Sequence, residues 1–121
     1  MPGGSKYVGP PEALAAYRSV VEESLSGTEV KGAKNPYTSR NGHMFSFLDK
    51  DGTMALRLSD ELTEEFRSAY DSGDVLQYGR TMRGYSSVPA ELLADTDTLS
   101  AWFDRSWEWI GTLPPSPTRK T

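Results

Sequence analysis

Residues 43–58 read HMFSFLDKDGTMALRL, and this stretch decides the fold. Two apolar-rich segments flank Asp51-Gly52, a dipeptide that favours a two-residue hairpin turn because both of its residues readily adopt positive φ. That turn sets a register in which Phe47 faces Leu56 across the hairpin. The sequence therefore predicts two antiparallel strands joined at Asp51-Gly52.

The predicted register gives this hairpin two different faces. The larger apolar side chains share one face, and they are Phe45, Phe47, Met54, Leu56 and Leu58. The opposite face is mixed and holds Met44, Ser46, Leu48, Ala55 and Arg57. Because successive strand residues point to opposite sides of a sheet, Met44 and Leu48 lie away from the first face. We expect either a further helix or a partner chain to cover them.

Helices and shorter strands flank the hairpin on both sides. Apolar residues recur at helical spacing in three stretches, which predicts helices over 11–25, 60–70 and 97–110. Ser59 is the predicted N-cap of the second helix, and Gly111 is the predicted C-cap of the last. A brief helical turn is expected over 89–94. The remaining strands are predicted at 28–33, 75–78 and 83–88, with a loop over 34–42.

The order of these elements is helix, three strands, helix, two strands and helix. Hairpin links imply an antiparallel sheet, so we predict an α+β fold with a single sheet of about five strands, mainly antiparallel, covered by three to four helices. Glycine and proline at residues 1–10 predict a flexible N-terminal arm. Residues 11–113 are predicted to form one domain, followed by a Pro-rich tail at 114–121.

Composition excludes several classes of protein. The chain has 121 residues, no cysteine and a formal net charge of −4. Thiolate metal sites and disulfides are therefore ruled out, and the overall charge opposes non-specific attraction to nucleic acid phosphates. We find no export signal and no apolar stretch long enough for a membrane span, so we expect a cytoplasmic protein without membrane contact.

A search for reactive side chains finds no catalytic arrangement. His43 is the single histidine, and no carboxylates stand at helical ligand spacing around it. Neither a nucleophile elbow nor a glycine-rich phosphate loop is present. We therefore expect no metal, no cofactor and no enzymatic activity.

Basic and aromatic residues mark a candidate binding surface. Residues 30–48 and 75–90 contain Lys and Arg and no acidic residue, whereas 59–74 is strongly acidic. Polar loops of this kind carry binding function more often than cores do. The candidate binding residues are Lys31, Lys34, Tyr37, Arg40, Arg80 and Arg83.

Three blocks of sequence carry a family resemblance. They are NGHMFSFL (41–48) with ALRL (55–58), YGRTMRGY (78–85) with Val88-Pro89, and Leu99, Trp102, Phe103 and Ser106. In this order and spacing they resemble the N-terminal domain of the TfoX/Sxy family, over roughly residues 12–113. The resemblance implies an α+β fold with one sheet and flanking helices, and it supplies no catalytic residue.

The resemblance also implies a regulatory role. Named members of the family regulate natural competence together with a cyclic-AMP receptor protein, and they carry a second, C-terminal domain. This sequence ends at Thr121, and we expect a single-domain member lacking that second domain. It differs from the longer regulators at 34–37, where KNPY stands in place of an MFGG stretch.

Three functional hypotheses remain open from the sequence. The first is a non-enzymatic binding or regulatory module that acts through protein contacts, either with a partner protein or as a homodimer. The alternative is a nucleic-acid-associated transcriptional regulator that uses a local basic face. The second alternative is a small-molecule-binding domain around Tyr37, Arg40 and His43.

Overall fold

A computed structural model describes residues 6–115 of the chain. Within this range the order of helices and strands follows the prediction, with the short helical turn present as a fourth helix. The elements are α1 (Pro11–Glu23), β1 (Tyr37–Arg40), β2 (His43–Leu48), β3 (Met54–Arg57), α2 (Asp60–Ala69), β4 (Asp74–Gln77), β5 (Arg80–Val88), α3 (Ala90–Leu93) and α4 (Thr96–Ile110). Most of the predicted arm and tail, at 1–5 and 116–121, lies outside the described residues.

The five strands form one antiparallel sheet in the order β1-β2-β3-β5-β4. The main core lies on one side of this sheet, where residues from all four helices pack against residues of β2, β3 and β5. Phe45 of β2 and Phe103 of α4 meet there with ring centroids 5.0 Å apart. The α+β fold predicted from the sequence is confirmed.

The register of the β2–β3 hairpin differs from the prediction by one residue. Phe47 pairs with Ala55, not with Leu56. The reason is the turn, which has three residues instead of two: the N–H of Asp49 donates to the C=O of Thr53 at 3.0 Å. The Asp49 carboxylate accepts from the N–H groups of Asp51 and Thr53, both at 2.9 Å, and Gly52 takes a φ of 86°. A type I turn followed by a left-handed glycine has this geometry.

The shifted register corrects the predicted faces. Phe47 lies on the sheet face away from the helices, whereas Leu48 is buried in the main core. A bulge between β1 and β2 lets Ser46 follow Phe45 onto the helix-covered side, which is why both residues are fully buried. Leu48 therefore needs no partner chain to cover it.

The first strand also lies elsewhere than predicted. Residues 28–33 form no strand and contribute only an isolated bridge from Lys31 to Tyr37. The strand β1 instead occupies the end of the predicted loop. It returns into β2 through Asn41-Gly42, whose φ values of 54° and 84° are those of a two-residue hairpin turn.

The first helix is shorter than its apolar stripe suggested. It ends at Glu23, because Ser24 adopts an extended backbone conformation. Leu25 is consequently 92% exposed instead of buried, and its N–H donates to the Asp104 carboxylate of α4 at 3.0 Å. The predicted caps at Ser59 and Gly111 are confirmed.

Candidate functional site

The structure separates the six candidate binding residues. Lys31 and Lys34 are exposed ahead of β1, and Tyr37 begins that strand. Arg80 and Arg83 lie on β5, which is separated from β1 by both β2 and β3. The six residues therefore form two groups, one at the β1 edge of the sheet and one on β5.

Arg40 lies beneath the C-terminal end of α4. Its guanidinium donates to the C=O of Trp107 at 2.8 Å and lies over the Trp107 ring at 3.6 Å. A Cβ atom at position 111 would overlap this guanidinium, so Gly111 leaves the space that Arg40 occupies. A cation beside the last carbonyls of a helix also complements the helix dipole. These contacts assign Arg40 a role in stability.

We expect replacement of Arg40 with Ala to lower the free energy of unfolding by about 1–3 kcal/mol, because it removes a charged hydrogen bond and a cation–π contact. The matched variant Lys34→Ala should leave it within about 0.5 kcal/mol, since Lys34 is an exposed loop residue. Urea denaturation followed by circular dichroism measures both. Equal stability of the two variants would refute the assigned role.

A surface hollow lies between β3, β5 and the start of α2. It has a volume of about 520 Å³, and its lining includes Arg57, Arg83 and Trp109. Asp60 and Glu61 line the same hollow. Two carboxylates and two guanidiniums thus line the same hollow, so their formal charges cancel and leave little net attraction for an anionic ligand.

His43 is held by the segment that follows α4. Its Nε2–H donates to the C=O of Pro114 at 2.7 Å, in the half-exposed surface beside the β1–β2 turn. Among the described residues, no group of three or more His, Asp or Glu side chains is placed to hold a metal ion. The contacts of His43 therefore tie the chain after α4 to the sheet.

A second apolar cluster occupies the sheet face away from the helices. Phe47, Ala55, Val75 and Tyr85 are at most 9% exposed there, and Met44 and Met82 pack around them. The Tyr85 hydroxyl donates to the C=O of Met44 at 2.6 Å, which draws its ring across β3. Burial raises the pKa of Tyr85 to about 12. This cluster largely covers itself, so Met44 does not require a partner chain.

The free edge of the sheet lies at β4. Among the described residues this strand pairs with β5 alone. Leu76 is 62% exposed and Tyr78, in the turn that follows, is 95% exposed. These are two of the four large apolar side chains that the described chain exposes, and they are separated by a single residue.

Sequence reasoning missed Leu76 and Tyr78 as candidate contact residues. The pattern located the strand and its turn, but the exposure of Leu76 depends on β4 being the last strand of the sheet. An available signal was Tyr78-Gly79, because a large aromatic residue at a hairpin turn has no core to enter.

The opposite edge of the sheet, β1, is protected at its first residue. Tyr37 of β1 exchanges two backbone hydrogen bonds with Lys31, of 2.8 and 2.9 Å, and Pro36, which has no N–H to donate, precedes the strand. Natural sheets protect edges in these ways. This bridge protects only the first residue of β1, whereas among the described residues β4 has no backbone hydrogen bond on its outer side.

The fold defines a class: a small α+β protein with helices on one face of an antiparallel sheet. No helix in the described part of the chain is long and apolar enough to cross a membrane. The family model for the TfoX N-terminal domain matches residues 38–110, from β1 to the end of α4, and the chain belongs to this family. Comparisons with curated proteins and with solved structures return no match.

Proposed function

We propose that this TfoX N-terminal domain protein is a non-enzymatic binding module that acts through protein contacts at the β4 edge. The observation that carries the proposal is the open edge of β4 with Leu76 and Tyr78 exposed beside it. An edge strand offers unpaired N–H and C=O groups, and another chain can bind them by adding a strand to the sheet.

The chemistry of this edge favours a protein over a nucleic acid. Leu76 and Tyr78 expose apolar surface, and burying this surface against a polypeptide partner lowers the free energy. The strand begins with Asp74, which is exposed, and Asp71 precedes it in the same loop. Asp74 is bonded to Arg67 and Arg80 follows the turn at the other end of the strand, so the edge has mixed charge and gives phosphate groups no uniform attraction. The basic residues lie on or beside strands that are not neighbours in the sheet, which weakens the support for the nucleic acid hypothesis.

Contacts on the core side hold β4 in place. Arg67 of α2 donates to the Asp74 carboxylate at 3.2 Å, to the Ser86 hydroxyl at 3.0 Å and to the Tyr85 C=O at 3.2 Å. The N–H of Ser87 also donates to the C=O of Gly73 at 3.0 Å. An edge fixed in this way requires little ordering when a partner binds, which favours affinity.

Photo-crosslinking tests the proposal in cells. We expect a chain carrying p-benzoyl-phenylalanine in place of Tyr78 to give protein adducts several times more abundant than one carrying it in place of Leu25. Leu25 is a matched control because its exposed fraction of 92% is nearly that of Tyr78. Mass spectrometry identifies the adducts. Equal protein adducts from the two positions, or adducts with nucleic acid alone, would refute the proposal.

A further inference from the structure

We infer that the strand added at the β4 edge is β4 of a second copy of this chain. The two strands run antiparallel about a two-fold axis at Leu76, and the two sheets join into one. This inference rests on the proposed function, because it names the partner of the same edge.

The turn after β4 determines which backbone groups face outward. Tyr78 and Gly79 have φ values of 54° and 76°, which define a two-residue hairpin turn closed by Gln77 and Arg80. The closing pair of such a turn exchanges hydrogen bonds within the hairpin. Because these bonds alternate along an antiparallel ladder, the N–H and C=O of Leu76 point away from β5.

A side-chain contact agrees with this orientation. The Gln77 amide donates to the C=O of Leu76 at 3.0 Å, on the exposed side of the strand. The C=O of Leu76 therefore points away from β5, where it accepts a hydrogen bond from the Gln77 side chain. A second strand that supplies an N–H at this position would replace the contact with a backbone hydrogen bond.

Symmetry makes Leu76 a suitable centre for the pair. With Leu76 on the axis, its N–H donates to the C=O of Leu76 in the other copy, and the reverse bond forms at the same time. Opposite residues in an antiparallel pair share a face, so the two exposed Leu76 side chains meet. Val75 then pairs with Gln77 of the other copy, and both point to the face away from the helices.

Charge along the edge also favours a second copy. The strand begins beside two acids, Asp71 and Asp74, of which Asp74 is bonded to Arg67, and the turn at its other end leads into the exposed Arg80. Antiparallel pairing brings the acidic end of each copy to the basic end of the other. A strand that is acidic at its start and basic beyond its end is complementary to its own reversed copy.

The pairing is expected to be weak. A four-residue strand buries less area than a standard protein interface, so we expect a dissociation constant on the order of 100 µM. Sedimentation equilibrium of the full chain up to about 0.5 mM measures it. The expected result is a reversible monomer–dimer equilibrium.

A proline variant tests the backbone hydrogen bonds of Leu76 separately from the contact made by its side chain. Leu76→Pro removes an N–H that points away from β5, a position where proline is tolerated in an edge strand. We expect it to remain folded and to weaken dimerisation about tenfold or more, because both symmetric hydrogen bonds are lost. Leu76→Thr is the matched control, since it keeps the N–H and a strong strand propensity. Circular dichroism and thermal melting verify that both variants are folded.

Cysteine crosslinking tests the position of the axis independently of Leu76→Pro. The natural chain has no cysteine, so Leu76→Cys introduces a single thiol. Paired residues at the axis have Cα atoms about 5.5 Å apart, within the range that a disulfide spans. We expect mild oxidation to form the covalent dimer at least about tenfold faster than in Leu25→Cys, whose thiol is at a more exposed position.

The outcomes distinguish the inference from the proposed function. A chain that stays monomeric at about 0.5 mM, or equal oxidation rates for the two cysteine variants, overturns the second copy as partner. If Tyr78 still gives adducts with a different protein, the proposed function stands and only the inference fails. Absence of selective protein adducts from Tyr78 would remove both.

Discussion

Replacement of Ser46 with Ala is expected to lower the free energy of unfolding by about 2–4 kcal/mol, a large fraction of the stability of a small domain. The Ser46 hydroxyl lies between two others, bonded to the Tyr17 hydroxyl of α1 at 2.7 Å and to the Thr38 hydroxyl of β1. All three side chains are fully buried. Removing the central hydroxyl leaves two buried polar groups without their shared partner, and each costs about 1–3 kcal/mol.

An apolar triple variant distinguishes lost hydrogen bonding from lost packing. In Tyr17→Phe/Thr38→Val/Ser46→Ala no hydroxyl remains to be satisfied, and we expect it to recover much of the stability that Ser46→Ala loses. Urea denaturation of both variants and of the natural chain gives the comparison. A single variant within about 0.5 kcal/mol of the natural chain would contradict the role of Ser46 as the shared partner.

The sequence predicted the existence of the β2–β3 hairpin but not its register. Apolar alternation and Asp51-Gly52 both indicated a tight turn near the correct place. The register depends on whether the turn has two or three residues, and Asp49 decides this with a carboxylate that binds two backbone N–H groups. The free energies of the two-residue turn and of the three-residue turn stabilised by Asp49 differ only slightly. Apolar alternation alone therefore did not determine which turn forms.

Which hairpin residues are buried depends on a β-bulge, and strict alternation of apolar and polar residues does not predict a bulge. The bulge at Phe45 places two successive residues, Phe45 and Ser46, on one side of β2. Ser46 enters the core because Tyr17 and Thr38 supply hydrogen bonds there, which a polar side chain requires when buried. Its environment comes from α1 and β1, which are distant in sequence.

The candidate site was harder to predict than the fold. Arg40 and Arg80 share a residue type and a turn-rich setting, yet Arg40 stabilises the end of α4 and Arg80 follows an exposed turn. The difference arises from strand order, which places β1 at one edge of the sheet and β4 at the other. Leu76 is exposed for the same reason, because a leucine in a central strand would have neighbours on both sides.

Raising the pH above about 10 is expected to destabilise the protein steeply through Tyr17 and Tyr85. Burial raises the pKa of the Tyr17 hydroxyl well above its usual range, although hydrogen bonds from Ser46 and Thr38 act in the opposite direction. Burial likewise raises the pKa of Tyr85 to about 12, and the nearby charge of Arg57 lowers it only in part. In the folded state Tyr85 also donates its proton to a carbonyl, a bond that only the neutral phenol can make.

The direction in which the free energy of unfolding changes with pH follows from the number of protons bound in each state. An unfolded tyrosine ionises near pH 10, so above this pH the unfolded state holds fewer protons than the folded state. The contribution of each raised pKa is fully present below about pH 10 and decreases as pH rises, by about 1.4 kcal/mol per pH unit for each tyrosine. For Tyr85 the decrease ends as pH passes its folded pKa of about 12, whereas for Tyr17 it continues further.

Urea denaturation at a series of pH values between about 9 and 12 measures this slope. Tyr85→Phe should reduce it by about 1.4 kcal/mol per pH unit, even though the variant also loses a hydrogen bond at every pH. Tyr78→Phe is the matched control, because it removes the same hydroxyl from a side chain that is 95% exposed. If the three proteins have the same slope, Tyr85 does not contribute to the loss of stability at alkaline pH.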